Sequence, residues 1–133
     1  MKKIIVLLLL TLTLTIRLAS CSSMKSYEKN LGDDYKVDIY DEDEIEELAE
    51  IFDIDADDYG ISSIMEAEDR DKGYYAYIIQ CKSNKMAEEL VDDLDDIVKA
   101  MNKYYSYIDV DAVADGKFVL VGNEDVIDDA LKK

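Results

Sequence analysis

The chain has 133 residues, of which 32 are acidic and 15 are basic, so its formal net charge is −17. This charge argues against nucleic acids and anionic membrane surfaces as partners, because like charges repel. The chain also contains no histidine, which removes the most frequent general base, a frequent zinc ligand and the side chain that titrates near neutral pH.

The first predicted element is a secretory signal over residues 1–20. Lys2 and Lys3 form a positive start, and residues 4–16 form an apolar run, which is the layout of such signals. The sequence LASC, which ends at Cys21, resembles the lipobox of bacterial lipoproteins. The resemblance implies cleavage before Cys21 and attachment of lipid to its sulfur, a thiolate being a suitable nucleophile for acyl transfer.

An uncleaved signal anchor is the alternative for this segment. Residues 4–16 are too few for it, because a membrane-spanning helix needs about 20 apolar residues. The sequence therefore predicts a lipid-anchored protein on the outer face of the cell membrane. Removal of residues 1–20 takes away three basic residues and no acidic one, so the formal charge becomes −20.

Residues 21–34 are predicted to be the lipidated cysteine and a flexible, polar tether. Residues 35–133 are long enough for one small domain. The stretch YKVDIY at 35–40 alternates apolar and polar side chains, which predicts a half-buried strand. Asp41 and Glu44 have the spacing of a capping box, and an apolar stripe after them predicts a helix.

The rest of the domain repeats this succession of strand, capping residue and helix. Residues 61–67 and 74–82 predict a hairpin, and Ser83 can cap a long amphipathic helix after it. Residues 110–114 and 117–122 flank an Asp-Gly turn and predict a second hairpin, which a short helix follows. The predicted fold is α+β. It has an antiparallel sheet, helices on one face, a split βαβ (ferredoxin-like) order, and an extra C-terminal hairpin strand and helix.

The acidic stretch DIDADDYGISSIME at 53–66 raises the question of a calcium loop, with Asp53, Asp55, Asp57 and Glu66 as candidate ligands. A calcium-binding helix–loop–helix needs glycine at position 6, glutamate at position 12 and a helix after the loop. Neither register of this stretch meets all three conditions. The favoured interpretation is a turn shaped by aspartate side chains, with weak, general binding of Ca²⁺ as the alternative and no dedicated cofactor.

The other potentially reactive side chains are predicted to have structural rather than catalytic roles. The helix after Ser83 carries six carboxylates opposite its apolar stripe, which is typical of a solvated face. Cys81 lies in an apolar run and is predicted to be buried. No residue set typical of a catalytic centre is present, so the protein is predicted not to be an enzyme.

Tyrosine is over-represented, with ten tyrosines against two phenylalanines. Tyr74, Tyr75 and Tyr77 lie together on one predicted strand and are candidate contact residues, because tyrosine combines an apolar ring with a hydrogen-bonding hydroxyl. The alternative is that tyrosine simply suits half-buried strands.

The layout resembles that of small lipoproteins of Firmicutes that carry a domain of unknown function. The resemblance is carried by IFDID (51–55), YYAYIIQ (74–80), the helix 85–101 with Tyr104–Tyr107 after it, and DGKFVLV (115–121). It implies a secreted, membrane-tethered protein and no catalytic residues. The expected function is a protein-interaction module, with a divalent-cation or cell-wall-glycan binding module as the alternative.

Overall fold

The computed structural model describes residues 23–105 and 108–132, which form one sheet with helices packed against it. The strands are β1 (Tyr35–Ile39), β2 (Ser63–Asp69), β3 (Tyr75–Gln80), β4 (Val110–Asp115) and β5 (Phe118–Asn123). The helices are α1 (Met24–Leu31), α2 (Glu42–Ile51), α3 (Ala56–Tyr59), α4 (Asn84–Tyr104) and α5 (Glu124–Ala130), and a short 3₁₀ turn, Gly32–Asp34, follows α1.

The sheet has the strand order β1-β2-β3-β5-β4, and every neighbouring pair is antiparallel. The predicted α+β class with an antiparallel sheet is therefore confirmed. Strands β3 and β4 flank β5, run parallel to each other and are joined by α4, which makes one split βαβ unit. The ferredoxin-like order as a whole is not confirmed, because β1 lies at the edge beside β2 and pairs with it directly.

Local signals in the sequence explain where the helices begin. Asp41 and Glu44 form the predicted capping box of α2, in which each side chain accepts from the backbone N–H of the other residue. Ser83 caps α4 and Asn123 caps α5 through their side-chain oxygens. These bonds satisfy backbone donors that have no partner inside a helix.

Two apolar clusters lie on opposite faces of the sheet, as the alternation of side chains along a strand requires. Ile79 and Val119 belong to the cluster under α2 and α4, while Ile78 and Leu120 belong to the cluster under α1 and α5. The prediction of helices on one face is therefore wrong. Both faces of the central strands are apolar, and each apolar face needs a covering layer.

Helix α1 corrects the prediction of a flexible tether over residues 21–34. Its Tyr27 and Leu31 are buried against the sheet, and the amide of Asn30 donates to the carbonyl oxygen of Ala130 in α5 at 2.8 Å. Ser23 caps the helix, which begins at Met24. The folded domain therefore begins within a few residues of Cys21, which itself lies outside the described residues together with the predicted signal over 1–20.

Cys81 is buried in the first cluster, as predicted, and burial raises the pKa of its thiol to about 11. The six carboxylates of α4 are all exposed, opposite the buried Leu90 and Leu94, as the spacing predicts. Within the part of the chain that the structure describes, no helix has the length and apolarity needed to cross a membrane.

Replacement of Tyr27 distinguishes a packed helix from a tether. Tyr27 is 1 % exposed, so we expect Tyr27→Ala to lower the free energy of unfolding by about 3–5 kcal/mol, the usual cost of removing a buried aromatic ring. Chemical denaturation of the full chain measures it. Glu28→Ala changes an exposed position on the same helix and should stay within about 0.5 kcal/mol of wild type. Equal stabilities for the two variants would contradict the packing of α1.

Candidate functional site: an apolar groove

An apolar groove of about 330 Å³ opens on the sheet face that carries α2 and α4. The C-terminal end of α2 forms one wall with Leu48, Ile51 and Phe52, and the C-terminal half of α4 forms the other with Ile97 and Met101. The groove exists because the two helices cover the same face of the sheet but leave space between these ends.

The floor of the groove comes from β3 and β5. Tyr75 and Tyr77 point to this face, and the ring of Tyr77 meets those of Tyr75 and Phe52 edge to face, with centroid distances of 5.9 Å in both cases. Such edge-to-face pairs are favourable beyond the area they bury. The aromatic rings therefore support one another at the floor of the groove.

The groove leaves apolar surface in contact with water. Ile51 is 75 % exposed and Tyr75 is 50 % exposed. None of the described residues that line the groove is charged, although charged residues make up 35 % of the chain. A contiguous apolar patch inside a highly charged surface is typical of an interaction site.

Carboxylates flank the groove. Glu47, Glu50 and Asp53 are exposed next to the lining residues at the C-terminal end of α2. An apolar centre with a charged rim is the usual arrangement of a protein interface. The negative rim favours a partner that brings positive charge.

Gly122 lets β5 pass close to β3 beneath the groove. Its φ angle is 146°, and a Cβ atom at this position would lie 2.5 Å from both the Cα of Ala76 and the carbonyl oxygen of Tyr75. Glycine is therefore required where β5 passes close to β3.

The structure places the three predicted contact tyrosines around the groove. Tyr75 and Tyr77 share the face with Ile79 and Cys81, as the strand alternation predicts, while Tyr74 packs against the cluster on the opposite face and reaches the end of the groove. The reason for their exposure differs from the one predicted. Helices on one face alone would have left these tyrosines on a bare sheet face, whereas the observed contact surface is a gap between two helices.

The acidic stretch 53–66 does not form a loop around an ion. Asp55 caps the short helix α3 by accepting from the backbone N–H of Asp57, and Gly60 ends that helix in the left-handed conformation. Glu66 lies on β2, where it accepts the hydroxyl of Tyr40, and Asp53 has a positive φ of 57° just after α2. Among residues 23–105 and 108–132, no three carboxylate or cysteine side chains are grouped to hold a metal ion.

Four tyrosine hydroxyls donate to carboxylates of other elements. The pairs are Tyr27 with Asp115, Tyr35 with Asp129, Tyr40 with Glu66, and Tyr59 with Asp93. Burial first, and then the paired carboxylate, raises the pKa of Tyr35, Tyr40 and Tyr59 well above that of a free phenol. Burial also raises the pKa of Tyr77, and the charge of Glu66 adds to this shift.

Sequence reasoning missed the walls of the groove. Ile51 lies outside the predicted apolar stripe of α2, and an apolar residue on the polar side of a helix was the available signal for a contact. The apolar spacing of α4 predicts that Ile97 and Met101 belong to its buried stripe, but they are only partly buried at the groove. The glycine requirement at position 122 depends on the distance between two strands, which periodicity does not report.

Substitution of Gly122 tests the groove floor. We expect Gly122→Ala to lower the free energy of unfolding by about 1–3 kcal/mol more than Gly116→Ala, because only the first new methyl group meets backbone atoms. Gly116 also has a positive φ, and a Cβ there would make only an ordinary contact with Asn84 Oδ1 at 3.9 Å, so it controls for the positive φ angle. Equal losses in urea denaturation would contradict the close approach of β5 to β3.

The tyrosine–carboxylate pairs predict a loss of stability at alkaline pH. An unfolded phenol releases its proton near pH 10, whereas the paired, buried phenols of the folded protein hold theirs to higher pH. Their contribution is therefore complete below pH 10 and is lost as the pH rises above it. Urea denaturation from pH 8 to 11 measures the slope, and Tyr40→Phe should reduce it. An unchanged slope in this variant would contradict the assignment.

Comparison with protein-family models, with curated proteins and with solved structures finds no match to this chain.

Proposed function

We propose that the protein is a lipid-anchored, extracytoplasmic binding module without enzymatic activity. In this proposal the lipid on Cys21 holds the domain at the cell membrane, and the apolar groove binds an apolar segment of a protein partner that carries lysine or arginine beside it. The proposed location agrees with the resemblance to the small Firmicutes lipoproteins.

The exposed apolar groove is the observation that carries the proposal. Tyrosine, methionine and phenylalanine are enriched at the centres of interfaces, and here Tyr75, Tyr77, Phe52 and Met101 line one groove. Its volume of about 330 Å³ is at the lower end of the range for ligand sites. This space suits a few apolar side chains of a peptide segment.

The lining supports binding rather than catalysis. Apart from Asn123 and the tyrosine hydroxyls, the described lining residues offer aliphatic and aromatic surface. Such a surface supplies hydrophobic contact but no group with a shifted acidity suited to proton transfer near neutral pH. The rim carboxylates then act by attracting a basic partner and by raising its association rate.

A peptide library displayed on phage and selected against the full chain tests the proposal. We expect the selected peptides to carry aromatic or aliphatic side chains next to lysine or arginine. A double variant, Ile51→Ser with Tyr75→Ser, should weaken binding of a selected peptide more than tenfold, because central aromatic contacts typically contribute over 1.4 kcal/mol each. Added salt should weaken it further by screening the acidic rim.

Tyr104→Ser is the matched control, because Tyr104 is 78 % exposed but does not line the groove. It should leave peptide affinity unchanged. Selection of no peptide, or equal affinity for the double variant, would rule out the groove as a peptide site. Binding of cell-wall glycan fragments that is lost in the double variant would instead assign the groove to sugars, whose rings also stack on tyrosine.

A further inference from the structure

A second concave surface, of about 720 Å³, lies between α1 and the neighbouring edge of the sheet. Lys25, Lys29 and Arg70 line it together with Glu28 and Asp33. The three cations are exposed, and none of them forms an ion pair with another described residue. Among the residues that line this surface, cations therefore outnumber carboxylates by three to two, although the domain as a whole is strongly acidic.

This surface also lies close to the proposed lipid anchor. Helix α1 begins at Met24, three residues after Cys21, and three residues span at most about 11 Å. Lys25 and Lys29 are on the first two turns of that helix. A lipid on Cys21 would hold them within about one or two screening lengths of the phosphate groups of the bilayer, since the screening length is about 8 Å at physiological salt.

Unlike the lysines of α1, most of the domain surface is repelled by an anionic membrane. After removal of residues 1–20 the formal charge is −20, so most of its surface is repelled by anionic lipids. Basic residues beside a membrane anchor are attracted to the same lipids, each strengthening attachment about fivefold. The attraction and the repulsion together favour one orientation of the anchored domain.

We infer that the α1 surface faces the membrane, with Lys25, Lys29 and Arg70 against the phosphates of anionic phospholipid headgroups. Tyr27 of α1 packs on one face of the sheet, while Tyr77 and Leu48 of the groove lie on the other. The apolar groove therefore opens away from the bilayer, toward partners outside the cell. This inference rests on the lipid anchor of the proposed function and adds the orientation in which the groove is presented.

Fluorescent labels on the full, lipidated chain in vesicles test the orientation. Glu28→Cys puts a thiol on the α1 surface and Glu88→Cys puts one on the exposed side of α4, and both remove one negative charge. Cys81 is buried and the lipid occupies Cys21, so an environment-sensitive dye attaches at the new cysteine. In phosphatidylcholine vesicles that contain phosphatidylglycerol, we expect a blue shift and quenching by headgroup-linked quenchers at position 28 and neither at position 88.

Charge reversal tests the role of the cations. The triple variant Lys25→Glu, Lys29→Glu, Arg70→Glu should abolish the signal at position 28 while the protein stays in the vesicles. Lys85→Glu, Lys99→Glu, Lys103→Glu changes the charge equally on α4 and should preserve it. Vesicles of phosphatidylcholine alone should give a weaker signal, because they lack the anionic headgroup.

The possible outcomes distinguish a wrong orientation from a missing lipid anchor. Anchored protein with equal signals at positions 28 and 88, or with a signal that is the same in both kinds of vesicle, would overturn the inference and leave the anchor intact. Protein that fails to associate with vesicles both as wild type and as Cys21→Ser would overturn the anchor and the inference together. Loss of the signal in the α1 triple variant but not in the α4 variant would establish the headgroup contact.

Discussion

The fold depends on a contact that recurs across it, in which a tyrosine hydroxyl donates to a carboxylate of a different element. The four pairs join residues that are between 26 and 94 positions apart in the chain. With 32 acidic and 15 basic residues, the protein has too few cations to match its carboxylates. A phenol offers a neutral donor instead, together with a ring that packs in the core.

This constraint explains the preference for tyrosine over phenylalanine. The rings of Tyr27, Tyr35 and Tyr59 are buried, and each hydroxyl reaches a carboxylate at the edge of the core. Hydrogen bonds to charged groups are stronger than those between neutral groups. The carboxylate partner is affected as well. The hydrogen bond from the Tyr35 hydroxyl lowers the pKa of the Asp129 carboxyl, and the nearby Lys132 lowers it further.

The groove is the place where tyrosine serves a different purpose. The ring of Tyr75 is half exposed and its neighbours Tyr77, Phe52 and Ile51 present apolar surface instead of carboxylates. Packing from α1 on the opposite face holds the sheet beneath this surface. The two sides of the sheet are thus chemically different, since cations gather beside α1 and apolar rings lie beneath the gap between α2 and α4. In the proposed function, this difference lets the anchored domain attach by one side and bind a partner by the other.

The sequence by itself determined the strands, the helices α2, α4 and α5 with their caps, and the two faces of β3, because each depends on spacing between residues that are close along the chain. The capping box at Asp41 and Glu44 and the burial of Leu90 and Leu94 are of this kind. Only the tertiary structure decided that α1 packs on the sheet, that β1 lies at its edge and that a groove opens above Tyr75. These features depend on contacts such as that of Asn30 with Ala130, 100 residues away, and local periodicity carries no information about such distances. The polar residues 21–34 predicted a tether because Tyr27 and Leu31 are too few to mark a buried helix until the sheet face that receives them is known.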